Sequence, residues 1–161
     1  MNYHLLPVAA GLHIVDEYVY PGGFLEVMRE TSPRFAGQVT VRLAVIINSL
    51  FFLLCVIAAF FGDKKRTFGL SVLVLLFLNG LMHLTGTLAR RRYNPGTATG
   101  LLFYIPLALL EFRDALSSGD TSRKQVLAAC ALAAAYQAVP LVTILVEGLL
   151  EVEPTGSGGP E

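Results

Sequence analysis

The sequence predicts an all-α integral membrane bundle of about five membrane helices with a short interfacial helix. Three observations carry that reading. Charged residues make up only 15% of the chain, against about 25% in ordinary soluble domains. Hydrophobic residues reach 54% and the mean hydropathy is +0.61, too apolar for a small domain that must cover itself with polar surface. Four uncharged stretches each approach the roughly 20 residues that a membrane helix needs. With 161 residues, one domain is expected, a transmembrane unit over 1–152, followed by a disordered polar tail over 153–161.

The first segment, Tyr3 to Tyr20, is apolar but carries His13, Asp16 and Glu17. It ends at the Pro21-Gly22-Gly23 turn signal and reads as a tilted or partly re-entrant helix. Phe24 to Arg34 alternates apolar and charged residues, which suits a short helix lying in the interface, stopped at Ser32-Pro33. Leu43 to Gly62 lies between Arg42 and Asp63-Lys64-Lys65-Arg66. Thr67 to Ala89 is broken only by Asn79 and His83 and stops at Arg90-Arg91-Arg92. Tyr93 to Leu110 closes at Glu111-Phe112-Arg113, where Glu111 and Arg113 are expected to pair at the membrane face. Gln125 to Val146 runs from Arg123-Lys124 to Glu147. Pro106 and Pro140 should kink their helices by freeing the carbonyls of Leu102 and Tyr136.

Five crossings place the termini on opposite sides. The basic residues then divide evenly between the two faces, so the positive-inside rule leaves the orientation open. Twelve basic residues balance twelve acidic ones, which argues against nucleic acid as a partner. The expected partners are the lipid bilayer and a hydrophobic small molecule, with self-association into a homo-oligomer left open. No basic n-region opens the chain, so a cleaved signal peptide is not expected. Cys55 and Cys130 are read as buried, inert thiols. The expected location is a cell membrane, crossed several times.

Ionisable groups within spans cost about 2.5–3.5 kcal/mol each on insertion scales and are functional candidates by default. At about 100° per residue, His13, Asp16 and Glu17 share one arc of the first helix. Asn79 and His83 are four residues apart on the third span, and Thr87 and Arg90 continue the stripe. The two helices run in the same direction, so both clusters fall at similar depth and can converge in the bundle core. Two histidines, two carboxylates and an amide at one level exceed what plain packing needs. His13, Asp16, Glu17, Asn79 and His83 are therefore the predicted catalytic residues, and Arg90, Tyr93, Asn94 and Tyr104 the predicted substrate contacts. The Tyr93-Asn94-Pro95-Gly96 turn is expected over the mouth of the cavity, with Arg90 meeting Glu17, Asp16 or an anionic substrate head. Thr97 or Asn94 is expected to cap the next helix. Thr97, Gly100, Tyr104 and Glu111 share one face of the fourth span; Tyr136, Pro140, Thr143 and Glu147 share one face of the fifth. Gly96 and Gly100 read as a close-packing pair, and Gln137 as a hydrogen-bonding residue between helices.

The chain resembles the HXXEE-domain family at His13-Ile14-Val15-Asp16-Glu17, followed by Tyr20-Pro21-Gly22-Gly23-Phe24. The resemblance continues in Asn79-Gly80-Leu81-Met82-His83 and in the Tyr93-Asn94-Pro95-Gly96 turn, and covers roughly residues 5–112. Asp16 departs from the first Glu of the motif, keeping the carboxylate but shortening its reach. The resemblance implies a small multi-span membrane protein and supplies no reaction.

Three chemistries fit the cluster. His13, Glu17 and His83 form a two-His-one-carboxylate set for Zn²⁺ or non-haem Fe(II) with an open position. Asp16 would be a fourth ligand or an outer partner, and Asn79 would orient a water. The enzyme would then turn metal-activated water or dioxygen on a lipid-like or isoprenoid substrate. Alternatively, a buried carboxyl and a paired His perform metal-free acid–base isomerisation, cyclisation or epoxide opening without a cofactor. The third possibility is a non-enzymatic ligand site or a proton or cation relay.

Overall fold

A computed structural model describes residues 3–19, 22–31 and 33–150, with the side chains of Phe35 and of residues 147–150 excepted. The described residues form helices and no strands: α1 (Leu5–Val19), α2 (Gly23–Thr31), a 3₁₀ turn (Pro33–Phe35), α3 (Val41–Phe61), α4 (Arg66–Arg90), α5 (Thr97–Thr99), a π-helical turn (Gly100–Tyr104), α6 (Ile105–Ser117) and α7 (Arg123–Leu150). The expected tail over 153–161, and Tyr20, Pro21 and Ser32, lie outside the described residues.

Three helices are long and apolar enough to cross a membrane: α3, α4 and α7. This is fewer than the five expected. The first segment gives a helix of only 15 residues, because the chain turns at Gly22 and Gly23, both with positive φ (80° and 59°). The fourth stretch is divided by its π turn. It also starts later and ends later than the Tyr93–Leu110 expectation. Pro95 holds Asn94 out of the helical region and Gly96 is left-handed at φ 91°, so helix begins only at Thr97. Past Leu110, α6 continues to Ser117 with Glu111 buried on it.

Most other boundaries move by one to two residues, while α7 runs four residues past Val146 to Leu150 and α2 stops at Thr31, three residues short of Arg34. Thr40 caps α3, its Oγ1 accepting from the Leu43 N–H at 3.1 Å, and this draws Arg42 into the helix. Helix α4 stops at Arg91, which adopts the left-handed conformation (φ 51°). The apolar and charged alternation after Gly23 does form the expected short helix, α2.

Helix α4 is the centre of the bundle. Half of its spanning window is buried, against 11% for α3 and 17% for α7. It packs against α3, α6, α7 and the π turn. The outer helices turn Val45, Leu50, Leu53, Leu127 and Leu141 outward, as helices do when hydrocarbon rather than water surrounds them. The interior holds Leu6, Cys55, Ala58, Leu70, Leu73 and Leu76. Cys55 is buried as expected, but Cys130 is exposed, because it lies on the outward face of α7. Tyr3 is also buried, its ring set against Gly62 and Gly69, where any Cβ would collide with it. Tyr3 is thus wedged between the end of α3 and the start of α4.

Helix α4 meets the π turn through two glycines. A Cβ on Gly100 would lie 3.0 Å from Gly80 Cα, and one on Gly80 would lie 3.2 Å from Gly100 O. The π turn itself follows from Pro106. Lacking an N–H, Pro106 leaves the carbonyl of Leu102 without its usual partner, and the Ile105 N–H reaches back to Gly100 O. Helix–helix contact at this crossing tolerates no methyl group. Gly100→Ala should therefore destabilise by about 1–3 kcal/mol and lower the thermal midpoint in detergent, whereas Gly37→Ala, with open space around it, should leave the midpoint unchanged.

Candidate functional site

Helix α1 presents His13 and Glu17 on successive turns, and α4 presents His83 to the same point. The three are 2%, 4% and 0% exposed. Glu17 Oε1 lies 3.5 Å from His13 Nε2 and 3.2 Å from His83 Nε2. The three potential ligand atoms fall within 4.8 Å of one another. The two imidazoles meet edge to face with centroids 4.8 Å apart. Although Glu17 is close to both rings, His13 Nε2 and both His83 nitrogens make no hydrogen bond; the nitrogens approach the carboxylate without the in-line geometry that such a bond requires. The other oxygen of Glu17 is occupied: Asn48 Nδ2 of α3 donates to Oε2 at 3.0 Å.

A second layer orients the first. Thr99 Oγ1 is 2.9 Å from His13 Nδ1 and donates to Asp16 Oδ2 at 2.8 Å. A threonine hydroxyl has one proton. With that proton on the carboxylate, Thr99 accepts from His13 Nδ1–H, and the lone pair of His13 is left on Nε2, facing Glu17. Asp16 Oδ2 also takes the Thr99 backbone N–H at 3.2 Å, and Oδ1 takes the Tyr93 hydroxyl at 2.8 Å. Asp16 thus satisfies a first-turn amide of the helix that starts at Thr97, a role usually taken by a local cap. Thr97 does not act as that cap. Its single hydroxyl proton is shared between the carbonyls of Asn94 at 2.6 Å and His83 at 3.1 Å, and the cap position is Gly96, which has no side chain.

Ring packing fixes the imidazoles. Tyr104 stacks on His13 at 4.3 Å, and Phe24 of α2 lies 4.7 Å from the His83 ring. Gly96 closes the remaining side. A Cβ there would come within 2.7 Å of His83 Cε1 and 2.8 Å of His13 Cε1. Gly96 is therefore a seat for both rings rather than part of a helix-packing pair with Gly100.

Of the five predicted catalytic residues, His13, Glu17 and His83 come together, Asp16 stands behind them, and Asn79 lines the adjoining cavity together with His13 and Glu17. That cavity, about 620 Å³, lies between α1, α2, α3, α4 and α7. None of the four predicted substrate contacts is among its lining residues. Arg90 pairs with Glu30 of α2, as does Arg92, and meets neither Glu17 nor Asp16. Tyr93 holds Asp16. Asn94 holds the turn on α4, its side chain donating to His83 O and its N–H to Thr87 Oγ1. Tyr104 lies behind His13. Gln137 does reach across helices, to Met82 Sδ; Glu147 is not among the described side chains. Sequence reasoning missed Asn48, although an amide in an otherwise apolar span was a signal. It also missed Thr99 and Glu30, for which no local pattern existed.

The donor set could hold a divalent metal once the two imidazoles draw together, since the three ligand atoms spread over 4.8 Å. Ligands about 2.1 Å from a tetrahedral ion sit about 3.4 Å from one another, close to the two nitrogen–oxygen separations from Glu17. Two neutral imidazoles and a carboxylate suit zinc or iron, and a ligating histidine normally donates its other N–H to an outer partner, as His13 does to Thr99. No curated protein and no solved structure matches the chain. Residues 4–110 match the family described as proteins of unknown function with the HXXEE motif, and the chain belongs to that family.

Proposed function

We propose that this chain is a multi-pass enzyme of a cell membrane that uses a metal-activated water on a hydrophobic, lipid-like substrate. The observation that supports this most directly is the convergence of two imidazoles and one carboxylate, their facing nitrogens without hydrogen bonds, beside a largely apolar cavity. His13, His83 and Glu17 would hold Zn²⁺ or Fe²⁺, which when bound would supply an activated water as the nucleophile at neutral pH. Asn79 Oδ1, buried and without a partner, accepts a hydrogen bond from the water or the substrate. Asn48 keeps Glu17 turned toward the rings. The apolar walls exclude bulk water and strengthen each electrostatic contact.

A metal-free acid–base reading has one observation in its favour. The run Asp16–Thr99–His13 ends beside Glu17, which also suits proton transfer to a bound olefin or epoxide.

In this reading the chain crosses the membrane five times, by α1, α3, α4, the helical run from Thr97 to Ser117, and α7. Helix α1, about 22 Å long at 1.5 Å per residue, is shorter than the roughly 30 Å hydrocarbon layer and holds His13 and Glu17 within it. Cysteine labelling of intact cells should modify engineered N-terminal and C-terminal sites from opposite sides; labelling of both from one side would reduce the number of crossings to an even one.

Elemental analysis of detergent-purified protein should find about one divalent metal per chain, lost in His13→Ala and in His83→Ala. A folded wild-type protein that takes up no added zinc or iron would return the site to acid–base chemistry. The outer partner makes a finer prediction. Thr99→Val should weaken metal binding about 10–100-fold, the usual cost of removing such a partner, and Thr99→Ser should restore it; both are read by competition with a chelating dye.

A further inference from the structure

The cavity is mostly apolar, with its one ionisable carboxylate and imidazole at a single place and Thr40, Tyr136 and Gln137 as scattered neutral polar lining. His13 and Glu17 meet Asn48 there through the Asn48–Glu17 hydrogen bond. Away from it the walls are Leu25, Met28, Ile47, Leu54, Leu75 and Ile144. Along α3 the lining continues from Asn48 to Ile57, about 14 Å at 1.5 Å per residue. That length and lining suit a long apolar chain carrying a single polar head.

The charge of the head follows from what surrounds it. All twelve Lys and Arg residues lie among the described residues, and none lines the cavity. Arg90 and Arg92, at the end of the helix that carries His83, both pair with Glu30. A phosphate head carries about −1.5 to −2 charges. A divalent ion less the charge of Glu17 leaves a single positive charge to meet it. The remainder would be buried without a partner, which is strongly unfavourable. A neutral head faces no such cost: a hydroxyl, ester or epoxide oxygen finds the metal position, and a hydroxyl can donate to the orphaned Asn79 Oδ1.

We propose that the substrate is an uncharged long-chain or isoprenoid lipid, bound head-first at the His13–Glu17–His83 cluster, and that the monophosphate and diphosphate esters of the same chain are rejected. This deepens the metalloenzyme reading by naming its substrate class.

The test is equilibrium binding of radiolabelled farnesol, hexadecanol and farnesyl diphosphate to the full-length, detergent-purified, zinc-loaded protein. At least one neutral probe should bind saturably at about one per chain, and at least about tenfold tighter than the diphosphate, the preference that an unpaired buried charge imposes. Binding by farnesol alone assigns an isoprenoid and by hexadecanol alone an unbranched chain. Ile47→Trp fills the cavity without touching the cluster and should weaken the neutral probe about tenfold or more, with metal content unchanged; Leu54→Trp replaces it if that variant does not fold. Equal or tighter binding of the diphosphate, absence of saturable binding by both neutral probes, or full binding in the filled variant would overturn the proposal. Neutral binding by a protein that takes up no metal would remove the metal while leaving the substrate class in place.

Discussion

Glu17 is the constraint on which the arrangement of the bundle depends. A carboxylate 4% exposed inside an apolar bundle is tolerated only with close partners. Glu17 is met from three helices: Asn48 on α3 donates a hydrogen bond to one oxygen, and the imidazoles of His13, one turn earlier on α1, and His83 on α4 lie 3.5 and 3.2 Å from the other. These contacts fix the rotation of α1 against α4 and place α3 beside both. Non-directional apolar packing would allow many rotations. Removing one partner of a buried charge typically costs about 3–5 kcal/mol, so the polar set selects one arrangement. The same set leaves its nitrogens without hydrogen bonds. A purely structural network would be expected to satisfy them, and this mismatch separates the cluster from ordinary interhelical glue.

The turn from Arg91 to Gly96 holds the other side of the site. Asn94 and Thr97 both donate to the carbonyl of His83, and Thr87 accepts from the Asn94 N–H. The turn is therefore tied to the residue whose side chain it supports. Gly96 brings backbone directly against both imidazoles, an approach that any other residue would block. One step further along, the π turn before Pro106 precedes Tyr104, which stacks flat on His13. Irregular helix of this kind recurs at functional sites. Here it has an identifiable cause in the missing N–H of Pro106.

Periodicity explains which parts were legible in the sequence. His13 with Glu17 and Asn79 with His83 are each four residues apart, and matched depth on parallel helices brought the two histidines and Glu17 together much as the spacing implied. Arg90 continued the same stripe on paper, yet it pairs with Glu30. Its partner comes from α2, whose position follows from the Gly22 and Gly23 turn rather than from any pattern within α4. Asn48 was legible but unread, because an uncharged span drew attention to what it lacked. Thr99 was not legible: its role needs both Asp16 on α1 and a helix that begins at Thr97. The start of that helix was misplaced because Tyr93-Asn94-Pro95-Gly96 carries no charge and so extended the uncharged run, although Pro95 and Gly96 oppose helix.

Asp16 and Glu17 show how neighbouring carboxylates acquire different tasks. They are about 100° apart on α1, and that rotation decides their surroundings. Glu17 faces the imidazoles. Asp16 faces the start of the helix at Thr97, where it accepts the Thr99 N–H, the Thr99 hydroxyl and the Tyr93 hydroxyl. Aspartate is a short acceptor suited to a helix start, and a carboxylate there also meets the positive end of the helix dipole. The departure from glutamate at this position in the motif is thus compatible with an outer role. Through Thr99, Asp16 favours the His13 tautomer with its proton on Nδ1, which leaves the lone pair on the Nε2 that faces Glu17. A residue that touches neither ring therefore sets the donor that α1 offers to the cluster.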